Sequence, residues 1–219
     1  MQVEVKGEFI PVALATLGPG EQIFCEGGLM VFSDPTIGFG IRWMTQGGVL
    51  GAMKRTLVGG LPFQLHEYTG PGYVAFSRFR PGETRVVTLD AGKGVDVAEH
   101  SLLLATNGIG YETFYVAGTG RIGRMIGFWM DRLTGPGTFA FQGHGNILKF
   151  TLAEKEAMDI DHGSLLMKDA SVTVRAYNQP LGGGLVGHAL SFEALRVEGP
   201  GEIYLQTVDP TKHAPGTPG

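Results

Sequence analysis

The residues able to do chemistry are few and scattered. Six histidines, His66, His100, His144, His162, His188 and His213, are available to a metal or to proton transfer. A metal site of the double-stranded β-helix kind presents His-x-His or His-x-carboxylate on one strand, with a distant third ligand. No His-x-His occurs, and no histidine has a carboxylate two residues further on. His100 and His162 fall in comparable turn regions, where a histidine ordinarily faces solvent. The spacing therefore predicts no metal centre.

Nucleophilic chemistry is no better provided for. Cys25 sits in the apolar run Gln22-Ile23-Phe24-Cys25, where a thiol is a small core residue. No serine has the context of a nucleophile elbow. Asp159 and Asp161 alternate along a strand, which is the spacing of a solvated face. The expectation is a protein that is not an enzyme, with no catalytic residues and no cofactor.

Two Gly-x-Gly-x-x-Gly matches, at Gly118/Gly120/Gly123 and Gly182/Gly184/Gly187, suggest a dinucleotide site at first sight. Such a site needs a buried strand before it, a helix after it and an acidic residue about twenty positions on. Here a Phe-bearing strand and a Gly-Pro-Gly turn follow each match, and the two are offset by 64 residues. They read as one loop used twice. These glycine loops carry cations: Lys54 and Arg55 in a first stretch, Arg121 and Arg124 in a second, His188 in a third. Backbone N–H groups with nearby cations can hold an anion. These five residues are the candidate ligand-binding set, and the competing reading is ordinary loop solubility.

The elements that would position them are marked by Gly-Pro-Gly, which occurs at Gly18, Gly70, Gly135 and Gly199. Proline presets φ, and the following glycine can take the positive φ of a type II turn. Gly135 follows Gly70 by 65 residues, and Gly199 follows Gly135 by 64. Phe63, Phe128 and Phe192 stand seven residues before these turns, and Leu61, Ile126 and Leu190 nine before. After them Val74/Phe76, Phe139/Phe141 and Ile203/Leu205 hold alternate positions, so one face of each strand points to a core. Three repeats over about 9–77, 78–142 and 143–207 are expected, forming one pseudo-threefold all-β domain over 1–208, with 209–219 a disordered tail. Gly27-Gly28 joins two short strands as a hairpin, and the one helix candidate, Ala52 to Leu57, is short.

Composition agrees with many turns. Glycine reaches 36 of 219 residues, and charged residues are only 17%. The net charge of −4 argues against DNA and makes RNA an unlikely partner. A lone cysteine fits a reducing cytoplasm. Met1 to Gly7 is polar, without the apolar core of a signal peptide.

The order of these motifs resembles the bacterial branch of the altered inheritance of mitochondria protein 24 family. The resembling elements begin with Gly18-Pro19-Gly20-Glu21, Glu26-Gly27-Gly28-Leu29-Met30 and Asp34-Pro35. They continue through the glycine-rich Gly47 to Arg55 and close with Gly199-Pro200-Gly201-Glu202-Ile203-Tyr204-Leu205-Gln206-Thr207. Together they cover about residues 5–208. At Gly59-Gly60-Leu61 the chain departs from the Gly-Glu usual in relatives. The resemblance implies a fold similar to the trp RNA-binding attenuation protein, a compact variant of the double-stranded β-helix, and a homo-oligomer. It supplies no catalytic residues.

The expected function is a non-catalytic oligomeric scaffold or binding protein, a trimer by preference, cytoplasmic, with a peripheral contact to an anionic membrane surface. The apolar Met125, Ile126, Phe128, Trp129 and Met130 beside a basic loop suggest that contact or a subunit interface. A metal-dependent β-helix enzyme using some of His66, His100, His144 and His162 is the first alternative. RNA binding by fold analogy is the second.

Overall fold

A computed structural model of the chain describes residues 1–42, 65–117, 127–180 and 191–209. These residues are almost wholly β-structure, as short apolar runs punctuated by glycine and proline require. β1 (Gln2–Lys6) leads, and three runs of six strands follow. The first holds β2 (Val12–Leu17), β3 (Gln22–Glu26), β4 (Met30–Ser33), β5 (Gly38–Arg42), β6 (Leu65–Thr69) and β7 (Gly72–Phe76). The second holds β8 (Thr84–Leu89), β9 (Gly94–Ala98), β10 (Leu102–Thr106), β11 (Gly110–Ala117), β12 (Gly127–Thr134) and β13 (Gly137–Gln142). The third holds β14 (Ile147–Leu152), β15 (Ala157–Asp161), β16 (Leu165–Asp169), β17 (Thr173–Pro180), β18 (Ser191–Glu198) and β19 (Gly201–Gln206), with a 3-10 turn at His162–Ser164.

The strands gather into two compact units. One comprises Met1–Gly92, His100–Glu112 and Thr134–Gln142; the other comprises Lys93–Glu99, Thr113–Leu133 and Gly143–Gly219. In the first, β1-β2-β7-β4 form a four-stranded sheet and β5-β6-β3-β10-β13-β8 a six-stranded one. Ala13, Ala15, Ile23, Cys25, Val74, Phe76, Leu103 and Leu104 are its core. In the second, β11-β12-β9-β16-β19-β14 form a six-stranded sheet and β15-β18-β17 a three-stranded one. Met130, Leu152, Leu165, Leu195, Val197 and Ile203 pack together there. Burying each of the larger side chains stabilises by about 1.5–3 kcal/mol. Of the alternating residues expected to face a core, Val74, Phe76, Phe139, Phe141 and Ile203 are fully buried, whereas Leu205 is half-buried.

The Gly-Pro-Gly turns divide into two kinds. At Gly18-Pro19-Gly20 the Glu21 N–H donates to the Gly18 carbonyl at 3.1 Å, and Gly20 has φ +74°, the arrangement expected of a type II turn. The later three differ: the Gly70–Pro71, Gly135–Pro136 and Gly199–Pro200 bonds are cis. Each joins the last two strands of a run. A Cβ at Gly70, Gly135 or Gly199 would collide with the backbone oxygen of Gly18, Asp90 or Ala153 respectively. The glycine ahead of the proline is therefore needed for close approach, and the glycine behind it for φ between +132° and +155°.

One irregularity recurs. β4 on β7, β10 on β13 and β16 on β19 each slip register by one residue, between Met30/Phe32, Leu102/Leu104 and Leu165/Met167. The bulge thus falls at the same place in each third strand.

Candidate functional site

The five expected anion-binding residues lie outside the described residues. Lys54 and Arg55 fall between β5 and β6, Arg121 and Arg124 between β11 and β12, and His188 between β17 and β18. The helix candidate at Ala52 to Leu57, the glycine motifs, His213 and nearly all of the expected disordered tail also lie outside. The remaining histidines have separate surroundings. His66 on β6 meets the edge of the Phe39 ring, with centroids 5.0 Å apart. His100 is 65% exposed, and its Nδ1 stands 3.3 Å from Glu26 Oε2. His144 donates its backbone N–H to Gln206 Oε1 at 3.0 Å, and the His162 ring meets that of Phe128 edge-on at 5.0 Å. Among the described residues no three His, Cys, Asp or Glu side chains are grouped to hold a metal.

Buried charge is concentrated where the second strand of one run meets the third strand of the next, β3 with β10 and β9 with β16. On β3, Glu26 is buried and accepts from Arg78 Nη2 at 2.7 Å, while Arg78 also donates to the Leu102 carbonyl of β10. On β9, Asp96 is wholly buried. It receives Lys168 Nζ from β16 at 2.6 Å and a two-pronged contact from Arg132 of β12 at 2.7 and 3.0 Å. Lys168 Nζ also donates to the Val172 carbonyl at 2.8 Å. An ion taken from water costs several kcal/mol unless such partners meet it, so these clusters fix which strand lies beside which. The paired glutamines Gln142 and Gln206 act similarly. Gln142 bonds the Arg78 N–H and Arg80 carbonyl; Gln206 bonds the His144 N–H and Gly163 carbonyl.

Cys25 is buried in the first unit's core. Burial, and then the charge of Glu26, push its thiol up to about 12, so it is neutral and inert at physiological pH. Asp159 faces solvent as the sequence suggested, gripped by Arg196 through two 2.7 Å bonds. That guanidinium holds its carboxyl below the ordinary range. Asp161 accepts from the Gly163 N–H at 3.2 Å.

What sequence reasoning missed is an open strand edge. β10 pairs with both β13 and β3, and β16 with both β19 and β9. β4, the third strand of the first run, pairs with β7 alone among the described residues. Leu102, Leu103 and Leu104 of β10 are completely buried, whereas Met30, Val31 and Phe32 of β4 are 41–46% exposed. At the other end of the strand sequence, β15 pairs only with β18 among the described residues, although β3 and β9 each have two neighbours. Phe39 and Ile41 on the edge strand β5, and Tyr73 beside Phe32, are exposed as well. Apolar side chains exposed along an edge strand are the kind of surface that association covers. The sequence held no signal for it, because Met30-Val31-Phe32 is as apolar as Leu102-Leu103-Leu104.

The comparisons with known proteins agree with the fold. The chain matches the family described as mitochondrial biogenesis AIM24 over residues 3–208. It is similar in fold to the crystal structure of Protein SPYM3_0169 from Streptococcus pyogenes, with a TM-score of 0.70 at 20% identity, covering 95% of this chain and 94% of that one. No curated protein matches it.

Proposed function

The chain belongs to the mitochondrial biogenesis AIM24 family, and on that footing we propose that it is a non-catalytic, homo-oligomeric scaffold or binding protein built from three like β-units. The observation that carries this reading is the exposed apolar edge of β4, Met30-Val31-Phe32, beside Tyr73. A monomer would leave that strand with unpaired backbone groups and three apolar side chains in water, and association removes both costs. The buried charged groups support the reading from another side. Glu26, Asp96 and Lys168, with the half-exposed Arg132 on Asp96, are committed to holding strands together, a structural role.

An anionic membrane surface is the second partner in this proposal. Lys54, Arg55, Arg121, Arg124 and His188 occupy the three connections between fourth and fifth strands of each run, and cations brought together would meet lipid phosphate. No helix among the described residues is long and apolar enough to cross a membrane, so this contact would be peripheral, at a cytoplasmic face. Light scattering and liposome co-sedimentation test the two parts. The proposal expects masses above one chain, and binding to anionic but not neutral vesicles that weakens with salt. A monomer that ignores both kinds of vesicle would overturn it.

A further inference from the structure

We propose that the loop tips carrying Phe9, Ile10 and Phe79 form an apolar wedge that enters the headgroup layer of a lipid bilayer. This rests on the membrane reading above and supplies the apolar part of that contact.

The tips stand side by side at one end of the first unit. Phe9 and Ile10 lie in the turn from β1 to β2, and Phe79 in the connection from β7 to β8. The two are tied where the Gly82 N–H donates to the Phe9 carbonyl at 3.2 Å. Phe9 is 73% exposed, Phe79 57% and Ile10 45%. Side chains this large and apolar gain by leaving water, and the fold leaves them in it.

Phe79 is held out at a cost. The connection that carries it, 77–83, is seven residues long, and its counterpart between β13 and β14, 143–146, is four. Both hang from a glutamine: the Arg78 N–H donates to Gln142 Oε1 and the His144 N–H to Gln206 Oε1, each at 3.0 Å. The next residue is left-handed in both, Gly145 at φ +71° and Phe79 at φ +56°. Glycine takes that backbone freely, whereas a residue with a Cβ is disfavoured there. The residues beside Phe79 are fixed as well. Arg78 bonds Glu26 and the Leu102 carbonyl, and the Arg80 carbonyl accepts from Gln142 Nε2. A strained backbone with pinned neighbours thus sets a phenylalanine into water where the sister connection carries glycine. Neither burial nor turn chemistry accounts for that choice.

Size selects the occupant. At about 200 Å² for a whole aromatic side chain, the exposed parts come to roughly 350 Å². That is under half of the about 800 Å² each partner gives to a stable protein interface. A bilayer needs no matching surface, because each side chain partitions separately. Arg80, exposed beside Phe79, can meet lipid phosphate, but the exposed Glu8 beside Phe9 offsets it. Burial of the apolar side chains therefore carries the insertion.

Phe79→Gly removes the side chain and leaves a residue that this backbone prefers, so folding is not at stake. The full-length unmodified chain, Phe79→Gly and Phe9→Ser are each sedimented with vesicles of phosphatidylserine and phosphatidylcholine. Each substitution should weaken binding about tenfold. The urea midpoint of Phe79→Gly should equal or exceed that of the unmodified chain. Phe79→Cys carrying an environment-sensitive fluorophore reports depth, since the native Cys25 is buried. Its emission should shift to the blue on vesicles and be quenched by spin-labelled lipid. The same label on Asp90→Cys, at the opposite end of the unit, should do neither. Unmodified and Phe79→Gly chains that bind vesicles equally overturn the wedge and leave the membrane reading standing. An unmodified chain that binds no vesicles overturns both. If Phe79→Gly lowers the mass in light scattering without lipid, a second copy is the occupant and the bilayer proposal fails.

Discussion

At the scale of single residues, ionised groups act as structural fastenings. Lys168 meets Asp96 in a site closed to water, and removing one partner leaves the other charge buried. Lys168→Met should lower stability by about 3 kcal/mol. The double change Asp96→Leu with Lys168→Met should recover much of that loss, because no buried charge is then stranded and Arg132, its side chain 40% exposed, can turn to water; urea unfolding measures both. Cys25 offers a simpler check. With its thiol pushed up to about 12 by burial, it should ignore an aromatic disulfide reagent at neutral pH and react fully in denaturant. Acid has a defined direction. Asp159 is held low by Arg196, Asp34 by Thr36, and Glu21 by the terminal ammonium of Met1 and the Gly18 N–H. Their folded values lie below their unfolded ones, so their contribution is complete at neutral pH and is lost as pH falls through the folded values. The urea midpoint should therefore drop below the ordinary carboxylate range, and Asp159→Asn should make the drop shallower.

At the scale of elements, the cis Gly-Pro turns carry the most constraint. Gly135→Ala sets a methyl against the Asp90 oxygen and Leu89 Cβ, and should cost about 1–3 kcal/mol. Gly40→Ala on β5 meets nothing within 4 Å and should stay within about 0.5 kcal/mol. Much at this level was legible beforehand. Turn chemistry and alternation placed the strands that carry Phe76, Phe141 and Ile203 correctly, because both signals are local. The cis form of three turns was not legible, since the same tripeptide at Gly18 is trans. Strand neighbours were equally hidden. Nothing around Met30-Val31-Phe32 distinguishes it from Leu102-Leu103-Leu104 until pairing leaves one of them at an edge. The glycine-loop cations Lys54, Arg55, Arg121, Arg124 and His188 fall in segments outside the described residues, so their anion-binding role remains a proposal.

At the scale of the molecule, third strands meet second strands twice, β10 on β3 and β16 on β9, while β4 has β7 as its one partner among the described residues. That exposed edge is what the proposed self-association rests on. The most direct measurement is the mass in solution of the unmodified chain and of Phe32→Asp by light scattering at micromolar concentration. The account predicts an integral multiple of the chain mass for the first and a single chain for the second. A monomeric unmodified chain, or a Phe32→Asp oligomer of unchanged size, would contradict it.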